Sequence, residues 1–240
     1  MKLLIVGDSI TEGETGISYV EKLSNHYPAL HITNLGLGGD TLIGITNRLL
    51  EHIRKNCEYD AIVIEAGHND ILIPIFEQGE PPYKMLAKSL ITRGSIPVED
   101  VEIFEHQYHN LLKLLTLRTD LPVYITTLSC IGETLSSYPN QKRKLYNEVI
   151  HKMVEKYDVK LIDVGILFDQ YLSNCVTNHY LLEDFFRAFV VDSKVIKTTQ
   201  FLNNLSEERK LNVTIDGVHL NEIGANLYFE AFEKGLNLKR

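Results

Sequence analysis

The sequence predicts a single domain of the α/β class, built on a parallel β-sheet with helices on its faces. Two observations predict it: short apolar runs rich in valine and isoleucine recur along the chain, and amphipathic helical patterns lie between them. Strands and helices that alternate in this way form parallel sheets with right-handed crossovers. The chain has 240 residues, of which 44% are hydrophobic and 23% charged, which suits one globular domain.

The predicted strands are short apolar runs of the kind found in buried parallel sheets. They lie at 3–6, 61–66, 123–126 and 161–164, with a weaker run at 31–33. The first three strands in chain order end in glycine, at Gly7, at 36–39 and at Gly67. Glycine at a strand end is typical of a loop that turns sharply or approaches a ligand.

Two helices are predicted from apolar residues that recur on one face. The first set is Val101, Phe104, Tyr108, Leu111 and Leu115, and the second is Leu145, Val149, Met153 and Tyr157. Each set forms a single stripe along its helix, which we expect to pack toward the sheet.

Two segments exceed what a minimal five-stranded wound sheet requires. Range 71–100 contains four prolines and two glycines, which predicts a long irregular excursion. Range 168–213 carries several aromatic residues at helical spacing, which predicts a helical insertion that is either part of the core or a cap that binds an acyl group. Because the sequence has neither repeats nor a flexible linker, we expect residues 1–240 to form one domain with two excursions.

Composition and charge exclude several classes of protein. The formal net charge of −8 repels phosphate backbones and anionic membranes, so we expect no nucleic-acid partner. The first apolar run stops at Asp8 and no later run approaches the length of a membrane span, which predicts a cytoplasmic protein without membrane insertion. Cys57, Cys130 and Cys175 form neither an even disulfide set nor a metal-binding pattern, which favours reduced structural thiols.

The opening stretch MKLLIVGDSIT places Ser9 just beyond the first predicted strand. A serine hydroxyl is a weak nucleophile unless a neighbouring base, usually a histidine oriented by an acid, accepts its proton. The stretch TIDGVHLN supplies both groups, because Asp216 and His219 are three residues apart and Gly217 permits a tight turn. Asn221, which follows, is a suitable N-cap for the next helix.

The other two glycine loops offer donors for the oxygen that becomes negative during acyl transfer. NLGLGGDT presents the backbone N–H of Gly39, and EAGHND presents the side-chain amide of Asn69. In a doubly wound sheet of order 2-1-3-4-5, strand one lies between strands two and three. These loops therefore meet the Ser9 loop at one edge of the sheet.

Four short blocks resemble the signature blocks of the SGNH hydrolases, also called GDSL-type esterases and lipases. They occur in the order of that family and span nearly the whole chain: Gly7-Asp8-Ser9-Ile10, Asn34-x-Gly36-x-x-Gly39-x-Thr41, Gly67-x-Asn69-Asp70 and Asp216-x-x-His219. The resemblance implies a flavodoxin-like three-layer α/β/α sandwich with a five-stranded parallel sheet.

The same resemblance implies a reaction and the residues that perform it. Ser9 is expected to be the nucleophile, His219 its base and Asp216 the acid that orients the base. Gly39 and Asn69 are expected to complete the oxyanion hole. The expected reaction is hydrolysis of a small-molecule ester or thioester without a metal or an organic cofactor.

Two other functions stay open at this point. An acyltransferase or thioesterase would use the same residues, and a non-catalytic flavodoxin-like module would keep the crevice for a small ligand. His68 lies within the third block and Glu65 near the end of the third strand, where either would influence substrate preference. Asp8 either lines the crevice or hydrogen-bonds its own loop, and the second interpretation is favoured.

Other motifs are weaker. GLGGDTLIG lacks the third glycine of a dinucleotide fingerprint and the lysine of a phosphate loop, and no serine lies in a Gly-x-Ser-x-Gly elbow. His106 and His109 have a spacing found in metal sites, but they flank an amphipathic helix without a second ligand cluster, which favours a solvated helix flank. The sequence therefore predicts neither a nucleotide nor a metal site.

Overall fold

A parallel sheet of five strands forms the centre of the molecule. The computed structural model describes residues 1–55, 58–183 and 198–239. The strands are β1 Lys2–Gly7, β2 His31–Gly36, β3 Ala61–Ile64, β4 Val123–Thr126 and β5 Lys160–Ile162. Their order is β2-β1-β3-β4-β5, which confirms the predicted topology.

Helices cover the sheet and make the fold a three-layer α/β/α sandwich. Their bounds are α1 Ser9–Glu12, α2 Tyr19–His26, α3 Leu42–Lys55, α4 His68–Gln78, α5 Pro81–Thr92, α6 Val101–Thr116, α7 Tyr138–Lys156, α8 Val164–Leu172, α9 Thr199–Glu208 and α10 Glu222–Gly235. Helices α3, α6 and α7 pack side by side against the sheet, and α10 packs between α2, α8 and β5. Across the three described ranges, no helix has both the length and the apolar character needed to cross a bilayer.

The central strand fixes where the loops emerge. Residues 3–6 of β1 are completely buried, as expected for a strand covered on both faces. Val6 pairs with Leu35 of β2 and with Ile64 of β3, and Gly7 pairs with Gly36. Because all three strands are parallel and in this register, the loops that follow them leave from the same edge of the sheet.

The predicted inward face of α7 is correct in part. Val149 and Met153 are buried, but Leu145 is 44% exposed and the neighbouring Tyr146 is buried instead. Tyr146 packs its ring on Phe104 of α6 at a centroid distance of 4.0 Å, so the helix is rotated toward α6.

The prediction of an irregular excursion at 71–100 is wrong for most of that range, because α4 and α5 occupy it. Pro81 and Pro82 lie in the first turn of α5, where the backbone N–H groups have no intrahelical acceptor and proline is well tolerated. Pro74 lies inside α4, a helix that is buried on almost every side. Burial of that helix compensates for the hydrogen bond that proline removes.

The described parts of 168–213 are helical only in places, since α8 ends at Leu172 and α9 spans Thr199–Glu208, while residues 173–183 form turns and loops. Phe168 belongs to α8 and contacts Tyr228 of α10, so this residue is core. At the other end, Phe201 of α9 packs on a small apolar cluster of Leu202, Leu205 and Ile215. The aromatic residues predicted as core or cap at Phe185, Phe186 and Phe189 lie outside the described residues. The division of the chain into one domain with two excursions stays a prediction.

The thiols of the described residues are free. Cys130 is buried and Cys175 is partly exposed, and neither forms a disulfide. Burial raises the pKa of the Cys130 thiol, which keeps it protonated. Cys57 lies outside the described residues.

Candidate active site

Ser9 is held at the end of β1 by a one-turn helix. The Asp8 carboxylate accepts a hydrogen bond from the backbone N–H of Ile10 at 2.9 Å and caps α1, which is the local interaction favoured for Asp8 from the sequence. A Cβ atom at Gly7 would lie 2.7 Å from a carboxylate oxygen of Glu65, so only glycine fits here. The strand therefore ends where Ser9 can extend from the sheet edge.

Ser9, His219 and Asp216 form a continuous chain of hydrogen bonds. Ser9 Oγ lies 3.0 Å from His219 Nε2, although the two residues are 210 positions apart. His219 Nδ1 lies 2.7 Å from Asp216 Oδ2. A carboxylate on Nδ1 favours the tautomer whose Nε2 lone pair accepts the serine proton.

The Asp216 carboxylate also shapes the turn that presents the histidine. Its Oδ1 atom accepts hydrogen bonds from the backbone N–H groups of Val218 at 2.9 Å and His219 at 2.8 Å. Burial by itself would raise the pKa of Asp216, but the charge of His219 and these hydrogen bonds lower it. Asp216 therefore remains an ionised carboxylate beside the imidazole.

Glu133 anchors the chain that leads into this turn. Its buried carboxylate accepts backbone hydrogen bonds from Val213 at 2.8 Å and Thr214 at 2.9 Å. At the other end of the turn, the Asn221 side chain accepts from the Gly224 N–H at 3.0 Å and caps α10, as the sequence predicts. Sequence patterns did not identify Glu133, because it lies 80 positions from Val213.

The loop after β2 runs beside Ser9. A Cβ atom at Gly38 would lie 3.9 Å from Ser9 Cβ, and Gly39 has a φ of +80°, a conformation that favours glycine. The Asn69 side-chain amide donates a hydrogen bond to the Asp40 carbonyl at 2.9 Å. This bond connects the loop after β2 with the first turn of α4, and it leaves the second amide proton of Asn69 for a ligand.

Asp70 strengthens the same connection. Its carboxylate oxygens accept hydrogen bonds from the backbone N–H groups of Leu42 and Val98, both at 2.9 Å. Burial raises the pKa of Asp70 to about 7, although both hydrogen bonds act in the opposite direction. Asp70 therefore holds the start of α3, which directly follows the Gly39 loop, against α4.

Comparison with known families identifies the class of the protein. The model of the GDSL-like lipase/acylhydrolase family matches residues 5–227. The chain belongs to this family. It is a carboxylic ester hydrolase of the GDSL type, as the four blocks predict.

Solved structures of other enzymes share the fold. LAE5, an alpha/beta hydrolase enzyme from the metagenome of Lake Arreo, Spain, is 19% identical, with a TM-score of 0.65 over 98% of this chain and 94% of that chain. Axe2, an acetylxylan esterase from Geobacillus stearothermophilus, is 16% identical, with a TM-score of 0.66 over 99% of this chain and 94% of that chain. No curated protein sequence matches the chain significantly. At these identities the structural similarity shows a common fold.

His68 and Glu65, which the sequence placed near the substrate, lie beneath the site instead. Their side chains are 1% and 0% exposed, so contact with a substrate is not their role. His68 Nδ1 lies 2.8 Å from Glu65 Oε1 and 3.5 Å from Asp8 Oδ2. Within the described ranges these three residues have the ligand types of a cation site. The 2.8 Å contact is that of an ion pair, in which a protonated imidazole occupies the place of a cation.

Proposed function

We propose that the protein hydrolyses esters of small or medium acyl groups through an acyl-enzyme on Ser9. In this proposal His219 is the general base, Asp216 orients it, and Gly39 and Asn69 bind the oxyanion together with the N–H of Ser9. The observation that carries the proposal is the alignment of Ser9 Oγ, His219 and Asp216, with contacts of 3.0 and 2.7 Å.

In the acylation step the acyl group moves from the alcohol oxygen of the ester to the Ser9 oxygen, and the serine proton moves through His219 to the alcohol. His219 Nε2 takes the proton of Ser9 Oγ while this oxygen attacks the ester carbonyl carbon. The carbonyl oxygen becomes negative and accepts hydrogen bonds from the N–H of Gly39 and the amide of Asn69. The intermediate then breaks its bond to the alcohol oxygen, which leaves with the proton from His219.

Deacylation repeats these movements with water. His219 accepts a proton from water as the water oxygen attacks the acyl carbon, and the Ser9 oxygen leaves with that proton. The products are a carboxylic acid and the free enzyme. The alcohol group of the substrate is absent from this step, so an alcohol acceptor in place of water would give acyl transfer by the same residues.

Asp216→Ala is expected to lower kcat strongly, by about 10³- to 10⁴-fold, and to leave more activity than removal of the nucleophile. The carboxylate orients the imidazole and stabilises its charged form, whereas Ser9 forms the bond itself. Steady-state kinetics with p-nitrophenyl acetate measure the effect. Asp158→Ala, a change at a loop carboxylate before β5, is a control expected to leave kcat unchanged. Asp216→Ala with activity equal to that of the control would remove Asp216 from the mechanism.

Asn69→Ala is expected to lower kcat by about 100- to 1000-fold with a small change in KM, because its amide binds the intermediate more strongly than the substrate. The same assay separates the two parameters. Equal effects on kcat and on KM would mean that Asn69 binds the ground state and is no part of an oxyanion hole. Asn47→Ala, an exchange on the neighbouring helix α3, controls for loss of an amide near the loop.

A series of p-nitrophenyl esters from acetate to dodecanoate tests the proposed substrate class. We expect kcat/KM to be highest for short and medium chains and to fall for the longest. Because Axe2 is an acetylxylan esterase, acetylated xylo-oligosaccharides belong in the same series. Hydrolysis of the longest chains alone would overturn the proposed acyl size, and transfer to an added alcohol in preference to water would replace hydrolysis by acyl transfer.

A further inference from the structure

A buried carboxylate, Glu65, connects the end of β3 with the segment that carries the nucleophile. Glu65 Oε2 accepts a hydrogen bond from Thr11 Oγ1 at 2.9 Å and from the backbone N–H of Asp8 at 3.4 Å. Asp8 and Thr11 lie on either side of Ser9, so both ends of the one-turn helix α1 are bound to the same carboxylate. The absence of a side chain at Gly7 makes room for this contact.

The second oxygen of Glu65 connects to the opposite side of the site. Glu65 Oε1 lies 2.8 Å from His68 Nδ1, and Asp8 Oδ2 approaches the same nitrogen at 3.5 Å. His68 is the first residue of α4, and Asn69 follows it. One buried ion pair therefore lies between the Ser9 segment and the Asn69 helix.

The charges of this pair suit its position. Burial by itself would lower the pKa of His68, but hydrogen bonds and charge interactions with Asp8 and Glu65 raise it to about 9. Burial and the charge of Asp8 raise the pKa of Glu65, while His68 lowers it. At neutral pH His68 is cationic and is held between two carboxyl groups.

The other titratable groups around the pair are hydroxyls. Tyr19 of α2 contacts Thr11 Oγ1 at 2.9 Å, and Tyr228 of α10 donates to Ser129 Oγ at 3.1 Å. Ser129 also contacts His68 Nε2 at 3.1 Å. Burial and the charge of Glu65 raise the pKa of Tyr19, Tyr228 and also Tyr108 of α6, so all three stay neutral.

We propose that His68 and Glu65 are positioning residues for ester hydrolysis, which fix the distance between the Ser9 nucleophile and the Asn69 amide. This inference rests on the proposed function of Ser9 and Asn69. The reaction requires both groups at one carbon centre, and a displacement of about 1 Å costs about 100-fold in rate. The pair supplies the connection because Glu65 directly follows β3 and His68 begins α4, while the hydrogen bonds of Glu65 reach Asp8, the N-cap of α1, and Thr11 within α1.

Two substitutions of His68 distinguish the contact of its Nδ1 atom from the contact of its Nε2 atom. Asparagine places an amide nitrogen near the position of Nδ1 and can still donate to Glu65, whereas glutamine places one near Nε2 and reaches only toward Ser129. We expect His68→Gln to lower kcat by about 100-fold with little change in KM. His68→Asn is expected to lower kcat less, because the contact to Glu65 remains.

A purely structural role of His68 would not change the pH dependence of kcat, so the pH profile tests the positioning role. We expect kcat of the wild-type enzyme to fall as pH rises through about 9, where His68 loses the proton that joins it to Glu65. The asparagine of His68→Asn does not titrate, so this alkaline limb should be absent from that variant. Rates are corrected for spontaneous hydrolysis and divided by the number of active sites that react with a fluorophosphonate.

His52→Asn is the matched control, because an asparagine amide does not reach the position of Nε2. His52 Nε2 contacts the Tyr59 hydroxyl at 2.7 Å, before the start of β3 and at the opposite end of the sheet from Ser9. This variant loses a similar histidine contact and is expected to keep the kcat of the wild type. Glu65→Gln, which keeps the size of the side chain and an acceptor for Thr11, is the second test if the His68 variants do not fold. It should lower kcat at constant KM.

The outcomes separate the inference from the proposed function. Variants of His68 and Glu65 with the kcat and pH profile of the wild type, whatever their melting temperatures, would overturn the positioning role alone. A wild-type protein that neither hydrolyses esters nor reacts with the fluorophosphonate would overturn both proposals. A drop in kcat for His68→Gln that exceeds the drop for His68→Asn supports the inference.

Discussion

Ser9→Ala is expected to lower kcat for p-nitrophenyl acetate by at least about 10⁴-fold, because no other group can form the acyl bond in its place. KM should change little, since the methyl group of alanine fits where the hydroxyl was. The oxyanion donors remain in this variant, so residual hydrolysis above the spontaneous rate is expected.

Ser18→Ala is the matched control for this result. Ser18 accepts a hydrogen bond from the Glu21 N–H at 3.2 Å and caps α2, a local role that a serine before a helix commonly has. The control should lose about 1 kcal/mol of stability and keep its turnover. A Ser9→Ala enzyme as active as Ser18→Ala would show that Ser9 is no nucleophile.

His219→Ala is expected to lower kcat about as much as Ser9→Ala, because without a base the serine hydroxyl keeps its proton. The two changes remove parts of one unit, so the double variant Ser9→Ala/His219→Ala should be no worse than either single variant. Steady-state kinetics on the four proteins measure this non-additivity.

His151→Ala is the control for loss of a histidine near an acid. His151 Nε2 lies 3.9 Å from Asp163 Oδ2, and both side chains are partly exposed on the surface. Its removal should leave kcat unchanged. Losses in the Ser9 and His219 variants that multiply in the double variant would mean that the two residues act independently, against the proposed proton transfer.

The strands and the proximity of the candidate site residues could be predicted from the sequence, because apolar runs are local features and the four blocks follow a known order. Buried parallel strands are continuous apolar runs. The four blocks occur in the order of a known family, the first three at the ends of β1, β2 and β3 and the fourth before α10. Once β1 lies between β2 and β3, the serine and the two glycine loops share one edge of the sheet. The contact between Ser9 and His219 completes that geometry at 3.0 Å.

The prediction for 71–100 is wrong because it depends on the four prolines of that range. The composition around Pro81 and Pro82 indicates a loop, yet both lie in the first turn of α5, where the N–H that proline lacks would have no intrahelical partner in any case. Composition alone does not distinguish a helix start from a loop. The segment α4 is helical because it is buried against α5 and α7.

The contacts of the buried polar residues could not be predicted from the sequence, for a different reason. Glu133 binds the Asp216 segment from 80 positions away, and Glu65 binds Thr11 from 54 positions away. An acid in a sequence has no visible partner until the chain folds, so it is interpreted as a surface or substrate-contact residue. His68 shows this in part, because Glu65 is only three residues away but Asp8 belongs to the distant Ser9 segment and approaches His68 only after folding.

Reaction with a fluorophosphonate probe, mapped by mass spectrometry, tests the central claim most directly. The probe forms a stable bond to a serine oxygen only where a base activates that oxygen. We expect one label per chain, on Ser9, and a large loss of labelling rate in His219→Ala. An unlabelled Ser9 in protein that still hydrolyses esters, or a label on another residue, would contradict the account.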